Sequence, residues 1–94
     1  MALGILTLHL HLPGCSSLKE KRSRIKPILS RLHREFNVSV AEIDLQDAWH
    51  ETSIGCAMIS NDRVLIERVF YQVIHFLGVN WPDEAIIDQH IELL

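Results

Sequence analysis

The amino-acid sequence predicts an α+β fold in which two helices cover one face of a four-stranded antiparallel sheet. Apolar and polar residues alternate with a period of two near the start of the chain, as in a half-buried strand. Two later stretches carry apolar residues at helical spacing, and strand-like alternation returns after each of them. The resulting order of elements is β-α-β-β-α-β, within a single domain that spans residues 1–94.

Residues 2–12 form the first predicted strand, because their side chains point alternately to opposite faces. Pro13 and Gly14 then end the strand and turn the chain. The leucines share one face and the polar residues the other: Leu6, Leu8, Leu10 and Leu12 against Thr7, His9 and His11. One face of the sheet is therefore buried, and the opposite face is at least partly polar.

Residues 17–36 form the first predicted helix. Ser17 followed by Glu20 is a capping box at its start. Pro27 removes one backbone donor but lies opposite the apolar arc, so we expect a curved helix rather than two separate helices. The apolar positions fall within an arc of roughly 100° that can pack on a core: Leu18, Ile25, Ile28, Leu29, Leu32 and Phe36.

The first helix carries seven of the nine lysine and arginine residues of a chain whose formal net charge is -3. On one flank, helical spacing pairs Glu20 with Arg24, and Arg31 with Glu35. The other flank has no acid and holds a set that we call the basic row: Lys19, Arg22, Lys26 and His33. This row is either a solvated helix face or an anion-binding edge, and the sequence leaves both interpretations open.

The second and third strands are predicted over residues 37–49 and 52–60. Within the second strand, the apolar residues change phase: Val38 and Val40 occupy even positions, whereas Ile43 and Leu45 occupy odd ones. Such a change of phase predicts a β-bulge near Ala41 and Glu42. A short turn at His50 separates the two strands.

A second helix can begin at a cap formed by Asn61 or Asp62 and run to about Leu77, with Gly78 at its end. A last strand is predicted over residues 85–94. Each helix connects two parallel strands by a right-handed crossover, so both helices lie on one face of the sheet. This is the ferredoxin-like plan, with the strands in the spatial order 4-1-3-2.

The face of the sheet without helices, which we call the open face, is predicted to carry a polar set on the first and last strands. Its members are Thr7, His9, His11, Asp88, His90 and Glu92. Imidazole and carboxylate groups are ordinary ligands of divalent metals. The simpler interpretation is that water or a partner chain covers this face, and we expect a homodimer through it rather than a metal site.

The turn around residues 44–51 is the densest polar cluster. Carboxylates beside a histidine can act as acid and base, yet the chain shows no evident nucleophile, oxyanion hole or glycine-rich phosphate loop. Acylphosphatases need an arginine in the loop after the first strand, and small CRISPR-associated nucleases carry an aspartate at the end of that strand. This chain has neither. We expect no enzymatic activity, and interpret Gln46, Asp47 and Trp49 as a contact for a partner.

Composition excludes several classes of protein. No apolar run approaches the ~20 residues that span a bilayer, and the apolar start of the chain lacks the positive region and cleavage site of a signal peptide. Cys15 and Cys56 are too few for a disulfide framework and lack zinc-ligand spacing. We therefore expect free thiols in a reducing cytoplasm, no membrane association and no cofactor.

Four segments resemble the YlxP-like family of bacterial domains of unknown function. They are SLKEKR at 17–22, FNVSVAE at 36–42, QDAW at 46–49 and SND at 60–62. The resemblance covers nearly the whole chain and implies a ferredoxin-like fold in a small cytoplasmic protein. Family members often lie in gene clusters with a translation initiation factor and a ribosome-binding factor, which implies a role around ribosome assembly. The family has no established catalytic residues, and Pro27 departs from its expected first helix.

Two functional classes follow from these observations. In the first, the basic row meets the phosphates of ribosomal RNA or ribosomal particles, and binding weakens steeply with salt. In the second, the protein is a dimeric module that binds a protein partner or a small anion, with the turn at Trp49 as the contact. The second class predicts weak salt dependence.

Overall fold

The computed structural model describes residues 1–94 and contains the predicted elements in the predicted order. They are β1 (Ala2–His11), α1 (Leu18–Glu35), β2 (Ser39–Asp44), β3 (Glu51–Ser60), α2 (Arg63–Asn80) and β4 (Ala85–Leu93). The four strands form one sheet in the order β2-β3-β1-β4, and every neighbouring pair is antiparallel. The predicted sheet order and the ferredoxin-like arrangement are confirmed.

The hydrophobic core lies between the sheet and the two helices. Leu6, Leu8 and Leu10 of β1 are fully buried, as the alternation of this strand predicts. The helices contribute the opposite wall of the same core: Ile28 and Leu32 from α1, and Ile66, Phe70, Val73 and Leu77 from α2. Neither helix has the length and apolar composition needed to cross a bilayer.

The start of α1 follows the predicted capping box with one change of partner. The Oγ of Ser17 accepts a hydrogen bond from the backbone N of Glu20 at 3.0 Å. The Glu20 carboxylate accepts from the backbone N and the Oγ of Ser16, at 2.8 and 2.9 Å, rather than from Ser17. These hydrogen bonds favour the charged carboxylate and lower the pKa of Glu20. The helix is continuous through Pro27, whose ring is exposed.

Two predicted boundaries were wrong. Strand β2 ends at Asp44 rather than at Trp49, whereas the bulge predicted near Ala41 and Glu42 is present as a register shift between Glu42 and Asp44. Helix α2 continues through Gly78 and is capped by Trp81, whose backbone N donates to the carbonyl of Leu77 at 2.9 Å. A residue before a proline is disfavoured in the helical conformation, so the helix ends at Trp81-Pro82 rather than at the glycine.

A register shift in β4 changes which isoleucine faces the core. His9 of β1 pairs with Asp88, but Leu10 pairs with Ile86, so Ile87 is the extra residue of the bulge. Strict alternation along β4 would place Ile87 on the core face with Ile91, but the bulge places Ile86 against the core and leaves Ile87 half exposed.

Candidate functional site

The structure places the basic row on the solvent-exposed surface of α1. Lys19, Arg22 and Lys26 are exposed, and none of them forms an ion pair with a carboxylate. His33 is also exposed, but its Nδ1 lies 3.1 Å from the carbonyl oxygen of Val38, just before β2. The three cations are therefore free, whereas one nitrogen of His33 is engaged by the backbone.

The opposite flank of α1 is neutralised by residues distant in sequence. Arg24 donates to Oε1 of Glu84 through Nη2 at 2.6 Å and Nε at 3.2 Å, and to the carbonyl of Pro13 at 2.7 Å. The hydrogen bonds to Glu84 raise the pKa of Arg24. The predicted pairing of Glu20 with Arg24 was wrong, because Glu20 binds Ser16 instead.

Arg31, on the same flank, is held by both an ion pair and aromatic rings. Its Nη2 lies 3.9 Å from Oε1 of Glu35, which confirms the second predicted intrahelical pair. Its guanidinium carbon also lies 5.0 Å from the ring centre of Phe76 and 5.5 Å from that of Trp81. Cation–π contacts at this distance attract the guanidinium group to the two rings, in addition to the ion pair with Glu35.

The charges of the molecule are separated into two layers. All nine lysine and arginine residues lie in α1 and α2, together with only three acids, so the helices carry a formal charge of +6. The other nine acids lie in the strands and loops, which contain no lysine or arginine. The helical layer is therefore basic and the rest of the chain acidic, although the total charge of -3 conceals this.

The sequence analysis missed Lys21, which is the most unusual charged residue of the chain. Only 1% of its side chain is exposed, and its Nζ lies 2.9 Å from Oε2 of Glu42. The same Nζ donates to the carbonyl of Leu45 at 2.6 Å, and Thr52 donates from Oγ1 to Glu42 at 2.6 Å. We call this buried network of Lys21, Glu42, Thr52 and Leu45 the Lys21 clamp.

The Lys21 clamp fixes the start of the turn between β2 and β3. Leu45 has a φ of 63°, a left-handed conformation that costs energy for any residue other than glycine. Its carbonyl is held by a lysine from α1, so the helix and the turn are joined through a single buried cation.

The spacing of Lys21 was the signal that could have revealed its burial. It lies four residues before Ile25 and seven before Ile28, so it occupies the apolar stripe of the helix. A lysine at such a position is buried only when an acid satisfies its charge.

The turn at residues 45–50 presents the predicted partner contact at the surface. Gln46 and Asp47 are exposed, and Trp49 keeps 48% of its surface accessible. The turn is anchored at both ends, since Ala48 donates its backbone N to the carbonyl of Leu45 and Leu12 donates to that of His50. A large aromatic side chain is thus displayed on a fixed backbone.

Replacing Trp49 with alanine is expected to lower the free energy of unfolding by only about 1–2 kcal/mol, because half of the side chain is already in water. A fully buried tryptophan would instead cost about 3–5 kcal/mol. Thermal unfolding followed by circular dichroism distinguishes the two values. A decrease of several kcal/mol would show that the indole is a structural residue rather than a contact surface.

The structure brings the six predicted open-face residues onto adjacent strands. Across the β1–β4 pair, His9 is opposite Asp88 and Thr7 is opposite His90. His11 faces Glu51 of β3, and the Nε2 of His9 lies 3.6 Å from Oε1 of that glutamate. His9 and His11 therefore already have carboxylates beside them within one chain. No three histidine, cysteine or carboxylate side chains converge closely enough to hold a metal ion.

Both cysteines are buried and free. Burial raises the pKa of the Cys56 thiol to about 12, because the charged thiolate is poorly solvated there. Its thiol is thus protonated at neutral pH, which is the inert form. Cys15 packs with Leu12 and Ile25 in a small second cluster near the start of α1.

A shallow apolar groove of about 540 Å³ lies between the end of α1 and the outer face of α2. Phe36 and Phe76 pack edge to face in its wall, with ring centres 5.4 Å apart. Tyr71 lines the groove from α2 and is exposed.

Comparison with known proteins identifies the family. Residues 3–91 match the family described as "Protein of unknown function (DUF503)". The chain belongs to this family. It is also 48% identical, over 61 residues, to the "Uncharacterized protein YlxP" of Bacillus subtilis (strain 168). That match covers 65% of this chain and 66% of the relative, slightly less than two thirds of its length. The predicted family resemblance is confirmed.

Proposed function

We propose that this DUF503-family protein is a non-catalytic RNA-binding protein that associates with ribosomal particles through the basic row of α1. The observation that supports this proposal most directly is the contrast between the two flanks of the helix. Arg24 and Arg31 are engaged by carboxylates, carbonyls or rings, whereas Lys19, Arg22 and Lys26 are exposed and unpaired. A row of free cations on a basic layer is suited to the phosphates of a nucleic acid.

The proposed contact is with the RNA backbone rather than with its bases. Sequence-specific RNA modules commonly stack bases on aromatic side chains of an exposed sheet. The four strands of this chain contain no phenylalanine, tyrosine or tryptophan. Binding through the basic row therefore depends on charge and shape, with little base specificity.

The double charge reversal Lys19→Glu with Lys26→Glu is expected to abolish co-sedimentation with ribosomal particles. Three phosphate contacts give a log–log salt slope of roughly -2 to -3, and removal of two contacts lowers its magnitude by close to two. Both side chains are exposed, so the fold is expected to persist. The measurement is sedimentation at several salt concentrations, with circular dichroism of the variant.

A matched control reverses two charges on the other helix, Arg63→Glu with Arg68→Glu. Both arginines are exposed and form no ion pair, so the net charge changes equally. The control is expected to bind ribosomal particles more tightly than the α1 variant does. If the wild-type protein does not co-sediment at low salt, or if the folded α1 variant binds as well as wild type, the proposal is wrong.

A second candidate function is supported by the turn at Trp49. We propose, as the alternative, that Gln46, Asp47 and Trp49 contact a protein partner or a small anion. Half-exposed tryptophans on fixed backbones are common anchors of protein interfaces, and the Lys21 clamp holds this turn in place. This alternative predicts a complex that Trp49→Ala weakens and that salt affects little.

A further inference from the structure

The open face of the sheet contains an apolar groove that the sequence analysis did not identify. Ile43 of β2 lies over Gly55 of β3, where a side chain on the glycine would come within 3.0 Å of the isoleucine. Ile5, Ala41 and Ala57 complete the floor and walls of the groove, whose volume is about 420 Å³. Neither helix covers it.

The exposed apolar area extends beyond the groove itself. Ile43 retains 50% of its surface accessible and Ile59, on the neighbouring strand, retains 62%. Isolated exposed aliphatic residues are normal, but a contiguous patch with a concave centre is typical of an interaction surface. The absence of a side chain on Gly55 is what allows the isoleucine to form the wall.

Carboxylates lie outside the lining of this groove, further along the sheet, and no lysine or arginine lies in any strand. Glu92 of β4 is directly opposite Ile5, and Asp44 follows Ile43 in the chain. Glu51 and Asp88 extend the negative charge along the two strands that border β1. Every lysine and arginine of the chain lies in the helices, so histidines are the only basic side chains beside these carboxylates.

We propose that the open face binds an extended, cationic segment of a partner protein, with aliphatic side chains in the groove at Ile43 and lysine or arginine side chains against the carboxylates further along the strands. Electrostatic complementarity of this kind selects partners and accelerates their association. The proposal is independent of RNA binding, because it uses the opposite face of the molecule.

The charges of the face favour a cationic partner over a second copy of this chain. A face-to-face homodimer brings two acidic surfaces together. Two histidines that could offset this charge, His9 and His11, already have a carboxylate of the same chain beside them. A cationic segment encounters no such repulsion.

The test uses a lysine-rich peptide that carries one valine and one isoleucine, and the same peptide with serine at those two positions. The aliphatic peptide is expected to bind at least about 10-fold more tightly, as the burial of two aliphatic side chains predicts. When this peptide binds, the amide chemical shifts of the protein are expected to change on β1, β2 and β3. Ile43→Lys is expected to weaken binding by about 10-fold or more, since it removes the apolar wall and adds a repelling charge.

Val79→Lys serves as the matched control, because Val79 is similarly exposed but lies on α2. It is expected to leave peptide binding within about twofold of wild type. The proposal is overturned if neither peptide binds, if both bind equally, or if the shifts fall on the helices. It is also overturned if light scattering shows a wild-type dimer that Ile43→Lys converts to a monomer, because a second copy then occupies the groove.

Discussion

Replacing Lys21 with methionine is expected to lower the free energy of unfolding by about 3–5 kcal/mol, the usual cost of removing one partner from a buried ion pair. Methionine matches the length of the lysine stem, so the loss comes from the charge and not from a large cavity. Glu42 would keep its hydrogen bond from Thr52 but would lose its cation, and the carbonyl of Leu45 would lose its donor.

Chemical denaturation measures this loss of unfolding free energy, and two further variants test whether it comes from the buried ion pair. Lys26→Met removes an exposed lysine from the same helix and is expected to change stability by less than about 0.5 kcal/mol. The double variant Lys21→Met with Glu42→Met replaces the buried pair by apolar groups, and is expected to regain much of the stability. A Lys21→Met protein as stable as wild type would show that the Lys21 clamp does not stabilise the fold.

The second large effect is expected where α2 approaches β1 most closely. A side chain on Gly4 would lie 2.9 Å from Cε2 of Phe70 and would overlap Cγ2 of Ile66. Gly4→Ala is therefore expected to lower the free energy of unfolding by about 1–3 kcal/mol through overpacking. Ile66→Ala, at a fully buried position, is expected to lower it by about 2–5 kcal/mol.

The double variant is expected to lose less free energy of unfolding than the two single variants together. The difference is expected to be about 1 kcal/mol or more. The new methyl group on residue 4 enters part of the space that Ile66 vacates, so the two sites are coupled. Gly78→Ala is the control, since nothing lies near that helical glycine and alanine is expected to stabilise the helix by about 0.5–1 kcal/mol. Additive losses in the double variant would contradict the close approach.

The fold was predictable because its signals are local in sequence. The period-two pattern of β1 and the helical spacing of α1 and α2 are properties of short segments, and they appear in the structure. Ser17 and Asp62 cap the two helices through hydrogen bonds to residues at most three positions away. The order of elements and the handedness of the crossovers then leave few arrangements of the sheet.

The contacts of individual charged residues were less predictable, because helical spacing describes only neighbours in the same helix. Spacing correctly paired Arg31 with Glu35 but also paired Arg24 with Glu20. Arg24 instead binds Glu84, which lies 60 positions along the chain. A partner that distant becomes available only when the end of α2 packs beside α1.

The sequence alone determined the order of the strands and helices, the identity of the main core residues and the placement of most positive charge on one helix. Tertiary structure decided which charges remain free and what the open face presents. Lys21 is buried because β2 brings Glu42 to it, and Ile43 forms a groove wall because it lies over a glycine on the adjacent strand. Such pairings depend on register between strands and on packing between layers, which local periodicity does not specify.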